Sequence, residues 1–397
     1  MQLKVVLKSL GIEDYPPELE EIYPAAAKMY EEHGYEIALG EKQREYIKKY
    51  NMFSDIYDDL KKTADFSRKN EAVLRYLYLL QCVMSEEETA KKFLRLLFLP
   101  RGLGMEYDLC GLLAVLQFAP KIEEHLLSRG LPHKIIEDTF DEFGGKAVDF
   151  RERFGNTGIS IFLGWLQNFI NLKIIRVDRF NFEMKEFSGN VRAYKSNSGA
   201  YKLLADDVMV HRSGQILGSI GCEDEEGSYH AKITEDDALY TGFAIGDDGL
   251  VKGRTSLEKS SWSEVLRAGD PVLSVHIPAR LSLAPDVCDA SYKHAAEIFR
   301  KHYPEFDFRA MCCFSWMMDP SLYDVIGKQT NLTMFLDRYI KFPAKSRGTG
   351  VMSFVFLSEV QIPPEKMPEN TSLQRSVKAH YMAGKYIYEQ GGVFFDV

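Results

Sequence analysis

Three stretches of the chain carry side chains whose types and spacing could do chemistry. In PVLSVHIP, β-alternation puts Val272, Ser274 and His276 on one face and Leu273, Val275 and Ile277 on the other, so His276 shares its face with a hydroxyl. Pro278 ends that run, because proline cannot donate to a ladder. A neutral imidazole, with an unperturbed pKa near ~6.5, could take a proton from an attacking group there, directly or through water. The same placement suits a structural histidine bonded to a neighbouring strand. In RFNFE, Phe180 and Phe182 face one way and Arg179, Asn181 and Glu183 the other. Glu183 is the best-placed carboxylate for a base, since an acid facing a closed cleft holds a proton more firmly than a solvated one. A salt bridge with Arg176 or Arg179 is the alternative.

The third stretch is FRAMCCFSWMMDP. Alternation groups Ala310, Cys312, Phe314, Trp316 and Met318 against Met311, Cys313, Ser315 and Met317, mostly as core. Trp316 reads as sheet packing, and Asp319 as a cap for a helix starting at Ser321. A thiolate at Cys313 with His276 as its base is a further arrangement, and it requires a lowered thiol pKa.

Beyond the histidine strand, ARLSLAP leads into a helix with Pro285 in its first turn and Ala284, which has no capping oxygen, before it. Helix N-termini bind phosphate through their first N–H groups and the helix dipole. Pro278, Ala279, Arg280, Leu281 and Ser282 therefore form a candidate anion site, with Arg280 as counter-charge. Capping by water or by Ser282 competes with that reading, and Asp286 and Asp289 would repel an anion. Tyr381, Tyr386 and Tyr388 offer phenols at helical spacing, as proton donors or as packing.

These segments need a scaffold, and the chain supplies two kinds. From Pro16 to about Asn171, apolar residues recur at three- and four-residue spacing, as in EAVLRYLYLLQCVM and DLCGLLAVLQFAPKIEEHLLSRG, with Gly34, Gly130 and Gly155 at cap positions. From Leu172 the text turns to strands: LKIIRVDRFNFEM, VMVHRS, LYTGFAIG and PVLSVHIP. Then come helix PDVCDASYKHAAEIFRKHY, strand FRAMCCFSWMM, a helical stretch through NLTMFLDRYI, strand GVMSFVFLS, helix SLQRSVKAHYMAGKYIYEQ and a final GGVFFDV. Strands separated by helices imply parallel pairing at the sheet centre, and those joined by turns imply an antiparallel meander. The acidic, Gly-rich stretch 223–253 reads as hairpins or exposed loops. The fold class is α+β, an all-helical N-terminal domain followed by a mixed α/β one.

Composition narrows the function classes. Of 397 residues, 45% are hydrophobic and 12% aromatic, which is ample for ordered cores. A net charge of −9 opposes nucleic-acid binding. The apolar runs are too short for a membrane span, and the start MQLKVVLKSLGIEDYPPELEE lacks a signal-peptide core, so the expected location is the cytoplasm. Six cysteines without CxxC spacing read as reduced thiols. His294 and His302 lie on one predicted helix without a second ligand pair, so no metal is expected.

The phrases LPHKIIEDTFDEFGGKAVDFRERFG leading to RVDRFNFE, SVHIPARLSLAPDVCDASYKHAAEIFRKHYPE, and CFSWMMDPSLYDVI followed by NLTMFLDRY resemble bacterial acyltransferase-domain proteins. Those proteins pair a helical N-acyltransferase N-terminal domain with a GNAT-like C-terminal domain. The resemblance covers most of the chain and is sharpest from Ser274 to Tyr339. It implies domains at 1–131 and 132–397, the second with helices 133–171 leading into the sheet. It also implies transfer of an acetyl or acyl group from acetyl-CoA or acyl-CoA to a small-molecule amine. On that reading His276 and Glu183 handle the proton, residues 278–282 hold the CoA pyrophosphate, and Ser274, Cys313, Ser315 and Trp316 line the substrate. Two differences stand out: ARLSLAP replaces the Gly-rich pyrophosphate loop, and Phe314 stands where the family phrase Cys-His-Ser-Trp has its imidazole. A non-catalytic GNAT-like protein binding a small molecule or a partner is the alternative.

Overall fold

The computed structural model describes residues 1–395. The chain divides into two compact units, Met1–Asn181 and the remainder from Phe182.

The first unit is helical, as its periodicity predicts. Its most buried helix, Glu71–Met84, sets Val73, Leu77, Leu80 and Val83 inward, and the Asn70 side chain caps it by accepting from Val73 N at 3.3 Å. Arg75 is buried with them. Its guanidinium is bound by Glu31 and Glu71, each at 2.7 Å, and lies over the Tyr30 ring. A buried charge is tolerable only when paired in this way. The long helix His133–Phe154 ends where Gly155 takes a left-handed φ of 83°, and Phe140, Phe143 and Phe169 meet edge to face along it. The Glu123 carboxylate gathers Tyr46 Oη at 2.8 Å together with Lys49 and Tyr50. Because the cap at Asn70 starts the innermost helix, Asn70→Ala is expected to cost about 1 kcal/mol in urea unfolding, against a few tenths for Asn70→Gly.

The second unit stacks two sheets. The first runs in the order Phe180–Glu186, Pro271–His276, Ala310–Ser315, Gln390–Phe394, Ile340–Pro343. We call the first three the glutamate, histidine and cysteine strands. The histidine and cysteine strands are parallel, with the helix Pro285–His302 as their crossover. Gln390–Phe394 pairs antiparallel with both of its neighbours. The Phe342 ring occupies the space a Cβ at position 391 would need, 2.1 Å away, so glycine is required there. The second sheet is antiparallel, in the order Trp262–Leu266, Val191–Ser196, Tyr201–Ala205, Leu239–Ile245, Thr234–Glu235, with Val251–Glu258 also on Leu239–Ile245.

The core between the sheets contains Phe187, Val191, Leu203, Leu266, Val272, Cys312 and Phe342. On the other face of the first sheet, Tyr292 and Phe299 of the crossover helix meet Phe182, and Tyr292 also meets Phe394. The strand alternation predicted for Phe180, Phe182 and Glu183 therefore sorts core from site.

Several elements differ from expectation. LKIIRVDRFNFEM breaks at Asp178, whose φ of 53° reverses the chain between two strands. GVMSFVFLS contains the helix Thr349–Val355 and no strand, since a continuous apolar run does not by itself distinguish the two. FRAMCCFSWMM leaves the sheet at Ser315, whose hydroxyl accepts from Met317 N at 3.1 Å and starts a 3-10 turn, so Trp316 and Met318 leave the alternation. Stretch 223–253 contains the expected hairpin, Leu239–Ile245 on Val251–Glu258, but it places Ala231, Ile233 and Val251 in the core. Of the final GGVFFDV, Asp396 and Val397 lie outside the described residues.

Candidate active site

Glu183 and His276 meet. On neighbouring strands, Glu183 Oε2 lies 2.9 Å from His276 Nε2, with the two side chains 14% and 31% exposed. Lys185, two residues along the glutamate strand and hence on the same face, places its ammonium 3.8 Å from the same oxygen. A carboxylate facing Nε2 fixes the tautomer that carries the proton there, which makes Nδ1 the basic nitrogen. Arg176 is engaged elsewhere, by Asp141 at 3.4 Å and Glu142 at 3.7 Å.

The backbone beside this pair opens. The ladder between the histidine and cysteine strands has three rungs, the last at Ser274 and Cys312, yet the strands run on to His276 and Ser315. Past that rung Phe314 stands on the face of His276. Ser274 and Cys312 sit buried at the apex of the gap, and burial pushes the Cys312 thiol up to about 12 against the pull of the Ser274 hydroxyl. Cys313 points to the opposite face, among Tyr292 and Tyr339, and burial raises its thiol far above the usual range. It is neutral and across the sheet from His276, so the arrangement a thiolate nucleophile would need is missing.

The other predicted residues have definite places. The Ser315 hydroxyl serves the turn described above. Trp316 packs with Leu322, Val351, Met352 and Tyr381. Asp319 is buried, accepts from Ser321 N at 2.8 Å and Tyr388 N at 2.5 Å, and has its carboxyl raised by burial. Tyr388 Oη contacts Cys222 Sγ at 3.7 Å, and Tyr381 stacks edge to face on Tyr386.

Residues 278–282 form the turn between the histidine strand and the crossover helix, with Arg280 at a left-handed φ of 64°. Ser282 Oγ accepts from Ala284 N at 3.1 Å, one residue before the helix, a bond that does not reach the helix's own first N–H groups, and Ala284 supplies no side-chain cap. A residue missed in the sequence changes the electrostatics. Arg338 donates to Asp289 Oδ1 at 2.6 Å and to the Pro285 carbonyl at 2.9 Å, so Asp289 is neutralised and a second guanidinium stands at the helix start. Arg338 follows the helix Asn331–Leu336, and no local pattern links it to residue 285. A second missed feature is the KSRGTG turn at 345–350, where the Glu389 carboxylate receives Ser346 Oγ, Gly348 N and Gly350 N.

Among the described residues no group of three or more His, Cys, Asp or Glu side chains is placed to hold a metal ion. No described helix is long and apolar enough to cross a membrane.

Two family models match the chain. The GNAT-like C-terminal domain covers residues 174–394 and the N-acyltransferase N-terminal domain residues 37–172. No curated protein matches it in sequence. Among solved structures, a mutant acyltransferase in complex with octanoyl-CoA superposes with a TM-score of 0.64 at 15% identity. An acyltransferase in complex with decanoyl-CoA and teicoplanin gives 0.63 at 17%. In both cases the similarity covers 100% of this chain and 99% of the other. At that identity the likeness establishes the fold, while the first family model alone spans more than half of the sequence. The chain belongs to the family that joins an N-acyltransferase N-terminal domain to a GNAT-like C-terminal domain.

Proposed function

We propose that the protein is an acyl-CoA-dependent N-acyltransferase in which the amine of a small-molecule acceptor attacks the thioester directly. The observation that carries this reading is the coincidence of the opened ladder past Ser274 and Cys312 with the Glu183–His276 pair on the same sheet face. The pantetheine arm of CoA carries two amides, and an extended segment with amide groups can pair with strand edges as an added strand does. The pyrophosphate would then lie at the 278–282 turn, on the start of the crossover helix, with Arg280 and Arg338 as counter-charges. The two similar acyltransferases bound to octanoyl-CoA and decanoyl-CoA support the same choice of co-substrate.

In the reaction, the amine nitrogen bonds to the thioester carbonyl carbon and its proton passes to His276 Nδ1. Glu183 holds the ring through Nε2–H and faces the imidazolium that forms, as the orienting acid does in other base–carboxylate pairs. The tetrahedral intermediate then expels the CoA thiolate by breaking the C–S bond, and the proton held on the imidazole returns to that sulfur. The net change is one amide formed and one thiol released. Electrostatic help from backbone N–H groups toward the carbonyl oxygen supplies the rest of the barrier reduction.

The first test is a thermal-shift titration of the full chain with CoA, acetyl-CoA and longer acyl-CoAs. A ligand that binds only the folded state at about 100 times its Kd contributes about 2.7 kcal/mol, a midpoint rise of roughly 5–10 °C for a unit of this size. Arg280→Glu is expected to weaken that binding by roughly tenfold. Absence of any shift with millimolar CoA or acyl-CoA would overturn the reading in favour of a non-catalytic binding protein.

A further inference from the structure

The sheet face with the Glu183–His276 pair also exposes an aromatic ring. The four residues before Phe314 on the cysteine strand are buried, whereas Phe314 itself is 38% exposed although its strand is an inner one of the sheet. It lies two residues past the last rung of the parallel ladder, level with His276 across the gap. Its back is fixed: the Phe342 ring meets it edge-on at 5.6 Å and Phe187 lies at 6.5 Å, and both belong to the core between the sheets. Gly391 lets Phe342 sit close to the backbone there. The ring is therefore backed by close-packed side chains and cannot retreat without disturbing them.

We propose that Phe314 sets which acyl groups the site accepts, its exposed face being the apolar wall against which the acyl chain of the thioester lies. This rests on the acyl-CoA reading given above. An acyl thioester presents one polar centre, the carbonyl, and one apolar tail. The Glu183 and Lys185 side of the site is charged, which penalises a hydrocarbon tail there, while the Phe314 side offers carbon. An acceptor amine, cationic before it reacts, belongs on the carboxylate side. Because the wall is rigid, its size limits the chain that fits.

The test is calorimetric titration of the full chain and its Phe314→Ala and Phe314→Trp variants with CoA, acetyl-CoA, butyryl-CoA, octanoyl-CoA and decanoyl-CoA. Each methylene that gains burial tightens binding about fourfold, so Phe314→Ala is expected to raise the octanoyl-to-acetyl affinity ratio at least about tenfold. Phe314→Trp is expected to lower that ratio. Affinity for CoA itself, which has no acyl chain, is expected to stay within about twofold in all three proteins. If CoA binds normally and the chain-length profiles of the three proteins are parallel, the assignment of Phe314 is overturned while the acyl-CoA reading stands. If the parent chain binds neither CoA nor any acyl-CoA, both fall together. A Phe314→Ala protein that fails to fold leaves the Phe314→Trp profile to decide the matter.

Discussion

His276→Gln is expected to lower the turnover of amine acylation by about 10²–10⁴-fold, the range typical of losing one general base, with little change in acyl-CoA affinity. Glutamine approximates the span of the imidazole and keeps a polar contact to Glu183, so the strand should hold its place. What disappears is the nitrogen that takes the proton as the C–N bond forms. Glu183 touches the ring and not the substrate, so it is a positioning residue, and Glu183→Gln is expected to cost less, about 10–100-fold, through a mis-set tautomer. The division of the loss between kcat and acyl-CoA affinity separates these roles from a merely structural one, since both variants should lose turnover while binding acyl-CoA as the parent does. Turnover of His276→Gln close to that of the parent would assign the imidazole a structural role.

The part of this site that was legible in the sequence followed from short-range rules. Period-two alternation placed Ser274 with His276 and Glu183 with Asn181, and both assignments hold because the strands are regular over those residues. Helical periodicity, at 3.6, located Glu71–Met84 residue for residue and Pro285–His302 to within one residue, since the predicted segment ran on to Tyr303. What alternation could not give was which strands lie side by side. The Glu183–His276 pair spans 93 residues, and the Arg338–Asp289 pair 49. Alternation also failed where a side chain redirected the backbone. The Ser315 hydroxyl turns the chain out of the sheet, so Trp316, assigned to one face of a strand, instead joins the cluster under Val351 and Met352. Phe314 was counted as core because its neighbours are; its exposure depends on where the ladder to the histidine strand stops, a property of two strands together.

Glu389→Ala is expected to destabilise the chain by about 2–4 kcal/mol, because two of the three donors that converge on its carboxylate would be left without an acceptor at about 1–3 kcal/mol apiece, while Gly348 N keeps the Ser346 hydroxyl at 3.2 Å and water recovers part of the loss. The donors are the Ser346 hydroxyl and the backbone N–H groups of Gly348 and Gly350. The last two lie at the start of the helix Thr349–Val355, where a negative charge also complements the dipole. Ser346 carries the effect onward. It is fully buried, its hydroxyl accepts from Glu389 N at 2.9 Å, its own N–H donates to Ser219 Oγ at 3.1 Å, and its carbonyl accepts from Ile220 N at 2.9 Å. Ser346, through its side chain and backbone together, thus ties the 217–222 loop to the 345–350 turn and the strand that begins at Gln390. Glu389→Gln keeps an acceptor oxygen and the shape, and is expected to lose about 1–2 kcal/mol. Urea unfolding of both variants decides the point, and an alanine variant within about 0.5 kcal/mol of the parent would show that the turn holds without its carboxylate. The consequence for the site is indirect but definite. Gln390 pairs with Ser315, one residue past Phe314, so loosening the strand start is expected to blunt discrimination among acyl chains before it slows the proton transfer at His276, which sits on the strand across the gap.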